Sequence, residues 1–125
     1  MLKDLTATAC LPVKDLERAR RFYEDVLGLE PVTSQPEGPL VYRTGQTTIT
    51  VYPSEYAGTN QANAVAWDTA DETEALVAAL KARGVAFEHY DLPGLTLDGD
   101  LHRAGDYKLA WFKDPDGNIL HLVGR

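Results

Sequence analysis

Twice in this chain an aspartate is followed, thirteen residues later, by a glycine, with apolar residues at helical spacing between them. "KDLERARRFYEDVLGLEPV" runs from Asp15 to Gly28, and "ADETEALVAALKARGVAFEHY" from Asp71 to Gly84. An aspartate at a helix start accepts hydrogen bonds from the free amides of the first turn. Asp71 with Glu74 also has the layout of a capping box. Leu16, Ala19, Tyr23 and Val26 line one helix face, and Leu76, Ala79 and Leu80 line the other. Each glycine suits the left-handed conformation that ends a helix. A short alternating strand precedes each helix, "TATACLPV" in the first half and "NAVAWDT" in the second. A further strand follows each glycine, over residues 29–33 and 85–90. Each half closes with a hairpin. One turns around Thr44, Gly45 and Gln46, the other around Pro115, Asp116 and Gly117.

The order β-α-β-β-β therefore occurs twice, in module 1 (about residues 1–53) and module 2 (about residues 63–125). "PSEYAGTNQA" links them, its Pro, Ser, Gly and Asn marking a loop. A polar loop over residues 91–106 interrupts the second copy. Neither unit buries a core alone, so the sheets join into one α+β domain or pair with another chain. Size agrees: 125 residues support one ordinary core.

Composition removes several functions. The net charge of −7 argues against nucleic acid, which needs a basic stripe. Arg18, Arg20 and Arg21 cluster only on what reads as a solvated helix face. No apolar run reaches the length of a membrane span. "MLKDLTATAC" lacks the apolar stretch of a signal peptide, so a cytoplasmic protein is expected. The single cysteine, Cys10, excludes an intrachain disulfide and a Cys-rich zinc site. No nucleophile elbow, P-loop or strand-linked GxGxxG occurs.

"LPVKDLERARRFYEDVLGLEPV" near the start and "AWFKDPDGNILHLV" at the end resemble the vicinal oxygen chelate superfamily. That superfamily includes glyoxalases, bleomycin-binding resistance proteins and extradiol dioxygenases. The likeness covers essentially the whole chain. It implies two tandem βαβββ modules, each a curved mixed sheet with a helix on its convex side, their concave faces enclosing a ligand cavity, usually in a homodimer. The residues of "DPDGN" have turn chemistry, and the same resemblance places His121 of the last strand on the cavity face. The turn chemistry favours a register in which Asp114 opposes Asn118 and Trp111 opposes His121; a one-residue slip would bring Phe112 there instead.

Enzymes of that superfamily hold one divalent ion with His, Glu or Gln from equivalent strands. The resemblance and the repeat place those four corners here at Thr8, Thr50, Ala64 and His121. Alanine cannot ligate, neutral threonine hydroxyls ligate poorly, and one imidazole alone does not hold a divalent ion usefully. No metal or other cofactor is therefore expected. A loop-borne site built from Asp98, Asp100 and His102 is the alternative, with His89 nearby. Strand parity gives the cavity Thr6, Thr8, Cys10, Tyr42, Thr50 and Tyr52 from module 1. Module 2 supplies Ala64, Ala66, Trp111 and His121, while Trp67 packs under the second helix. Cys10 is read as a small buried hydrophobe rather than a nucleophile. Aromatic walls, small residues and one imidazole suit a flat organic ligand. The expectation is a metal-free binding protein that sequesters a toxic or antibiotic-like compound. The alternative is a lyase, isomerase or dioxygenase with an atypical site in which His121 acts as acid or base.

Overall fold

The computed structural model describes residues 1–32 and 38–125, so the expected strand at 29–33 ends, in its last residue, outside the described part. The chain forms two mixed sheets. The first contains β1 (Ala9–Val13), β2 (Glu30–Pro31), β3 (Leu40–Thr44) and β4 (Thr47–Pro53), in the order β1-β4-β3-β2. The second contains β5 (Asn63–Ala70), β6 (Phe87–Glu88), β7 (Thr96–Asp98), β8 (Leu101–Ala104), β9 (Tyr107–Lys113) and β10 (Ile119–Gly124). Its order is β5-β10-β9-β8-β7, with β6 also pairing with β9. In each module the strand before the helix pairs in parallel with the last strand, β1 with β4 and β5 with β10. Strands β1 and β5 also meet, which sets the two sheets side by side.

Helix α1 (Leu16–Arg20) starts as expected: Asp15 Oδ1 accepts from the amides of Glu17 and Arg18 at 3.0 and 3.2 Å. It then widens into a π-helical segment, Arg21–Val26. The Leu27 amide reaches the carbonyl of Phe22, five residues back, at 3.0 Å. Gly28 then leaves the helix at φ 72°. Helix α2 (Thr73–Ala82) starts differently. Its capping residue is Glu72, with no side-chain cap bond, and the Asp71–Glu74 box does not form because Glu74 pairs with Lys108 of β9. Leu11, Val13, Tyr23, Val51, Phe112 and Leu120 belong to one buried cluster drawn from both modules.

The second copy is not interrupted by an irregular loop. Residues 91–106 contain the hairpin β7–β8, turning at Gly99 (φ 63°), and His102 lies on β8, wholly buried. "DPDGN" is also more than a turn. Asp114, Asp116 and Asn118 are all buried. Tyr23 donates to Asp114 Oδ2 at 2.7 Å, and Arg18 to Asp116 Oδ1 at 2.9 Å. The Lys14 amide donates to the same Asp116 oxygen, and Asn118 donates to the Pro12 carbonyl at 2.9 Å. The hairpin of module 2 thus clasps the first strand and helix of module 1, and Arg18, though exposed on the helix, reaches into that clasp.

Candidate functional site

The final hairpin sets the site. The Asp114 amide bonds the Asn118 carbonyl at 3.0 Å, and this register places Trp111 directly opposite His121. Leu120 and Leu122 turn to the helix side with Phe112 and Ala110, so His121 and Trp111 share the opposite face. Both are 8% exposed. Their rings stack in parallel, 4.3 Å between centroids and 10° between planes. Two further rings meet Trp111 edge-on: His102 at 4.9 Å and Tyr90 at 5.3 Å. Asn63 accepts from the indole Nε1 at 3.1 Å. Tyr90, His102 and Asn63 are the site residues that sequence parity missed; the alternation of "LHRA" opposite "YKLA" is the signal that carries His102.

Hydrogen bonding fixes the imidazoles. His121 Nδ1 lies 3.0 Å from the Ala110 carbonyl, which only accepts. Nδ1 therefore donates, leaving Nε2 as an acceptor with no partner among the described residues. His102 has the same tautomer but engages the other nitrogen: its Nε2 accepts from the Tyr90 amide at 2.8 Å, so Nδ1 carries the proton. Burial holds both imidazoles below the ordinary histidine pKa, opposed by their backbone hydrogen bonds.

On the other side of His121 the register partner is Ala66, which is exposed. A side chain ending at Cβ leaves the second face of the imidazole uncovered by its neighbour. Ala64 lies at the bulge where the pairing of β5 with β10 shifts, half buried against the core. Beyond β5 comes module 1, whose same-facing residues are Cys10, Thr50 and Tyr52, with Thr8 and Thr6 preceding β1. Thr6, Thr8 and Cys10 are exposed, and Thr50 and Tyr52 half buried. Cys10 is thus an open thiol, not a buried hydrophobe.

Tyr42 does not belong to this face. It pairs with Ile49, is wholly buried, stacks on Tyr23 at 5.9 Å and donates to Glu24 of the helix at 2.8 Å. Val41 holds the position opposite Thr50. Trp67 is on the helix side, its Nε1 donating to Thr44 at 2.8 Å.

The four corners do not fit a divalent ion. The Thr8 hydroxyl donates to the Thr48 carbonyl at 2.8 Å and accepts from the Thr48 hydroxyl at 3.0 Å. Ala64 has no donor atom, and His121 offers only Nε2. Among the described residues no three His, Cys, Asp or Glu side chains converge to hold a metal. The loop-borne alternative is committed elsewhere. Asp98 pairs with Arg103 at 2.7 Å, and Asp100 takes Lys81 at 2.6 Å and His89 at 2.8 Å. Those partners hold the Asp100 carboxyl below its ordinary range. No helix of the described residues is long and apolar enough to cross a membrane.

The profile of the glyoxalase/bleomycin resistance protein/dioxygenase superfamily matches residues 5–122. No curated protein matches the sequence. Among solved structures, the chain is similar to the fosfomycin resistance protein FosX of Listeria monocytogenes. Identity is 18% and the TM-score 0.74, covering 100% of this chain and 95% of that one. A lactoylglutathione lyase from Agrobacterium tumefaciens is 19% identical, with TM-score 0.71 and coverage of 99% and 96%. FosX of Mesorhizobium loti is 17% identical, with TM-score 0.71 and coverage of 100% and 94%. At such identities these likenesses describe the fold.

Proposed function

Because the chain belongs to the glyoxalase/bleomycin resistance protein/dioxygenase superfamily, we propose that it is a metal-free member that binds a flat organic molecule against His121. The observation that carries this reading is the half-finished stack. Trp111 covers one face of His121, and the register neighbour on its other side is the small Ala66. A planar ring would stack beside His121 over Ala66, and a ligand N–H or O–H reaching the edge of the imidazole would donate to Nε2. Thr8, Cys10, Thr50 and Tyr52 would border it from module 1, with Ala64 at the near edge. Sequestration of an antibiotic-like or toxic compound is the role such a site fits.

Titration of metal-free protein with bicyclic and tricyclic heteroaromatic compounds tests this. Quenching of Trp111 fluorescence by at least one compound is expected, with affinity falling about tenfold in His121→Ala. Failure of the whole panel to quench would overturn the reading.

One observation favours a second reading. His121 Nε2 is a neutral, unpartnered base with its tautomer locked by Ala110, as acid–base catalysis requires. The activity would then be of lyase, isomerase or dioxygenase type, and His121→Ala would abolish it. Stoichiometric metal that survives dialysis and disappears in His121→Ala would favour this enzyme over the binding protein. In either case the open face bearing Thr8 and Cys10 suits coverage by a second copy, giving a homodimer that sedimentation would detect.

A further inference from the structure

A cavity lies on the helix side of the sheets, opposite His121. Helix α2 packs on β9 and β10 and helix α1 on β4, leaving a cleft of about 340 Å³ between the helices. Its volume falls within the range of small-molecule sites. Trp67, Phe112 and Leu122 form the floor, and Leu29, Leu76 and Leu80 the walls. Leu76 is 37% exposed, apolar surface left open by the fold. The indole Nε1 of Trp67 is already bonded to Thr44, so its ring offers carbon surface with no unmet donor.

The charged groups stand at opposite ends. Arg83, the residue closing α2, uses Nη1 on the Val26 carbonyl at 2.9 Å. That bond pins the guanidinium at the mouth and leaves its other N–H groups available. Arg83 makes no ion pair among the described residues. Glu72 lines the other end and makes none among the described residues either. The ten residues of α2 span about 15 Å between the two ends.

We propose that this cleft is a separate binding site for an elongated apolar monocarboxylate. The carboxylate pairs with Arg83, the apolar body lies along Trp67 and the leucines, and Glu72 rejects a second anionic group. The site is independent of His121 and stands or falls without the binding function proposed there.

Decanoate, titrated into ¹⁵N-labelled full-length protein, is the probe. The indole N–H signals of Trp67 and Trp111 are told apart with Trp111→Phe. The Trp67 signal and the amides of Leu76 and Arg83 shift saturably, while Trp111 does not move. Arg83→Gln weakens decanoate about fivefold or more, and Arg83→Lys retains most of the affinity. Leu76→Glu abolishes binding, with the remaining spectrum reporting an intact fold. Sebacate, the dicarboxylate of equal length, binds more weakly than decanoate and gains in Glu72→Gln. Absence of a saturable Trp67 shift overturns the proposal. So does equal binding of decanol and decanoate, or sedimentation showing a dimer that Leu76→Glu alone dissociates.

Discussion

His102 and His121 flank the same indole, and both are held neutral by burial. Their folded pKa values lie below the unfolded value of about 6.5. The unfolded chain therefore binds more protons as pH falls through 6.5. The stability these two groups contribute is complete above that value and is lost toward their folded pKa values. The carboxyls with lowered pKa, Asp100 and Glu74, act only at lower pH and do not confuse this window. Melting temperature should drop between pH 7 and pH 5, and a His102→Gln variant should flatten that slope; an unchanged slope would remove the histidines from the account. Cys10 gives a second test at this scale. Exposed beside Thr50 in the single chain, it should react with a thiol reagent at one equivalent in dilute, monomeric protein, and more slowly where a second copy covers that face. A ligand seated over Ala66 should slow that reaction. Of these residues, His121 and Trp111 were legible because a Pro-Asp-Gly turn dictates their register. Tyr42 was not. A turn centred on Gly45 pairs Tyr42 with Thr48, on the side of Thr50. The actual two-residue turn pairs Tyr42 with Ile49, and one residue of slip exchanges the faces.

At the scale of elements, both helices were readable from spacing and terminal glycines, but their starts were not equivalent. Asp15 caps, whereas Asp71 loses its role to Glu72 because Glu74 is drawn away to Lys108. Polar composition concealed β7 and β8: the edge strand β7 is exposed throughout, and β8 buries only Leu101 and His102, so the segment reads as a loop. The least legible element was the clasp, for turn chemistry alone explains "DPDGN" and nothing local says what it touches. Asp114 accepts from the Asp116 and Asn118 amides, the Asn118 side chain and Tyr23, so its loss strands several buried donors at once. Asp114→Ala should cost about 2–4 kcal/mol by urea unfolding, and Tyr23→Phe about 1–2 kcal/mol. If Asp114→Ala cost no more than a surface change, the clasp would be ornamental. Gly124 is a steric counterpart on β10. A Cβ there would come within 2.6 Å of the Ala70 carbonyl and collide with Thr73, so Gly124→Ala should cost several kcal/mol.

Across the whole molecule, the repeat suggests two halves, yet the contacts make one unit. The core cluster draws side chains from both modules. Six polar links among the described residues cross between them: Tyr23 to Asp114, Arg18 and the Lys14 amide to Asp116, Asn118 to the Pro12 carbonyl, Trp67 to Thr44 and Arg83 to the Val26 carbonyl. A curved sheet with one helix has too little buried surface to stand alone at this size. Unfolding should therefore be a single transition. Both tryptophans lie in module 2, but the indole of Trp67 bonds Thr44 of module 1, so fluorescence reports on the junction while far-UV circular dichroism reports on every element. The two urea curves should coincide, and residues 1–60 and 61–125 expressed separately should each lack sharp, dispersed amide spectra. Two resolved transitions, or an ordered isolated module, would mean that the duplication preserved independent domains. The face carrying His121 would then depend on how the two halves dock, instead of being set by a shared core.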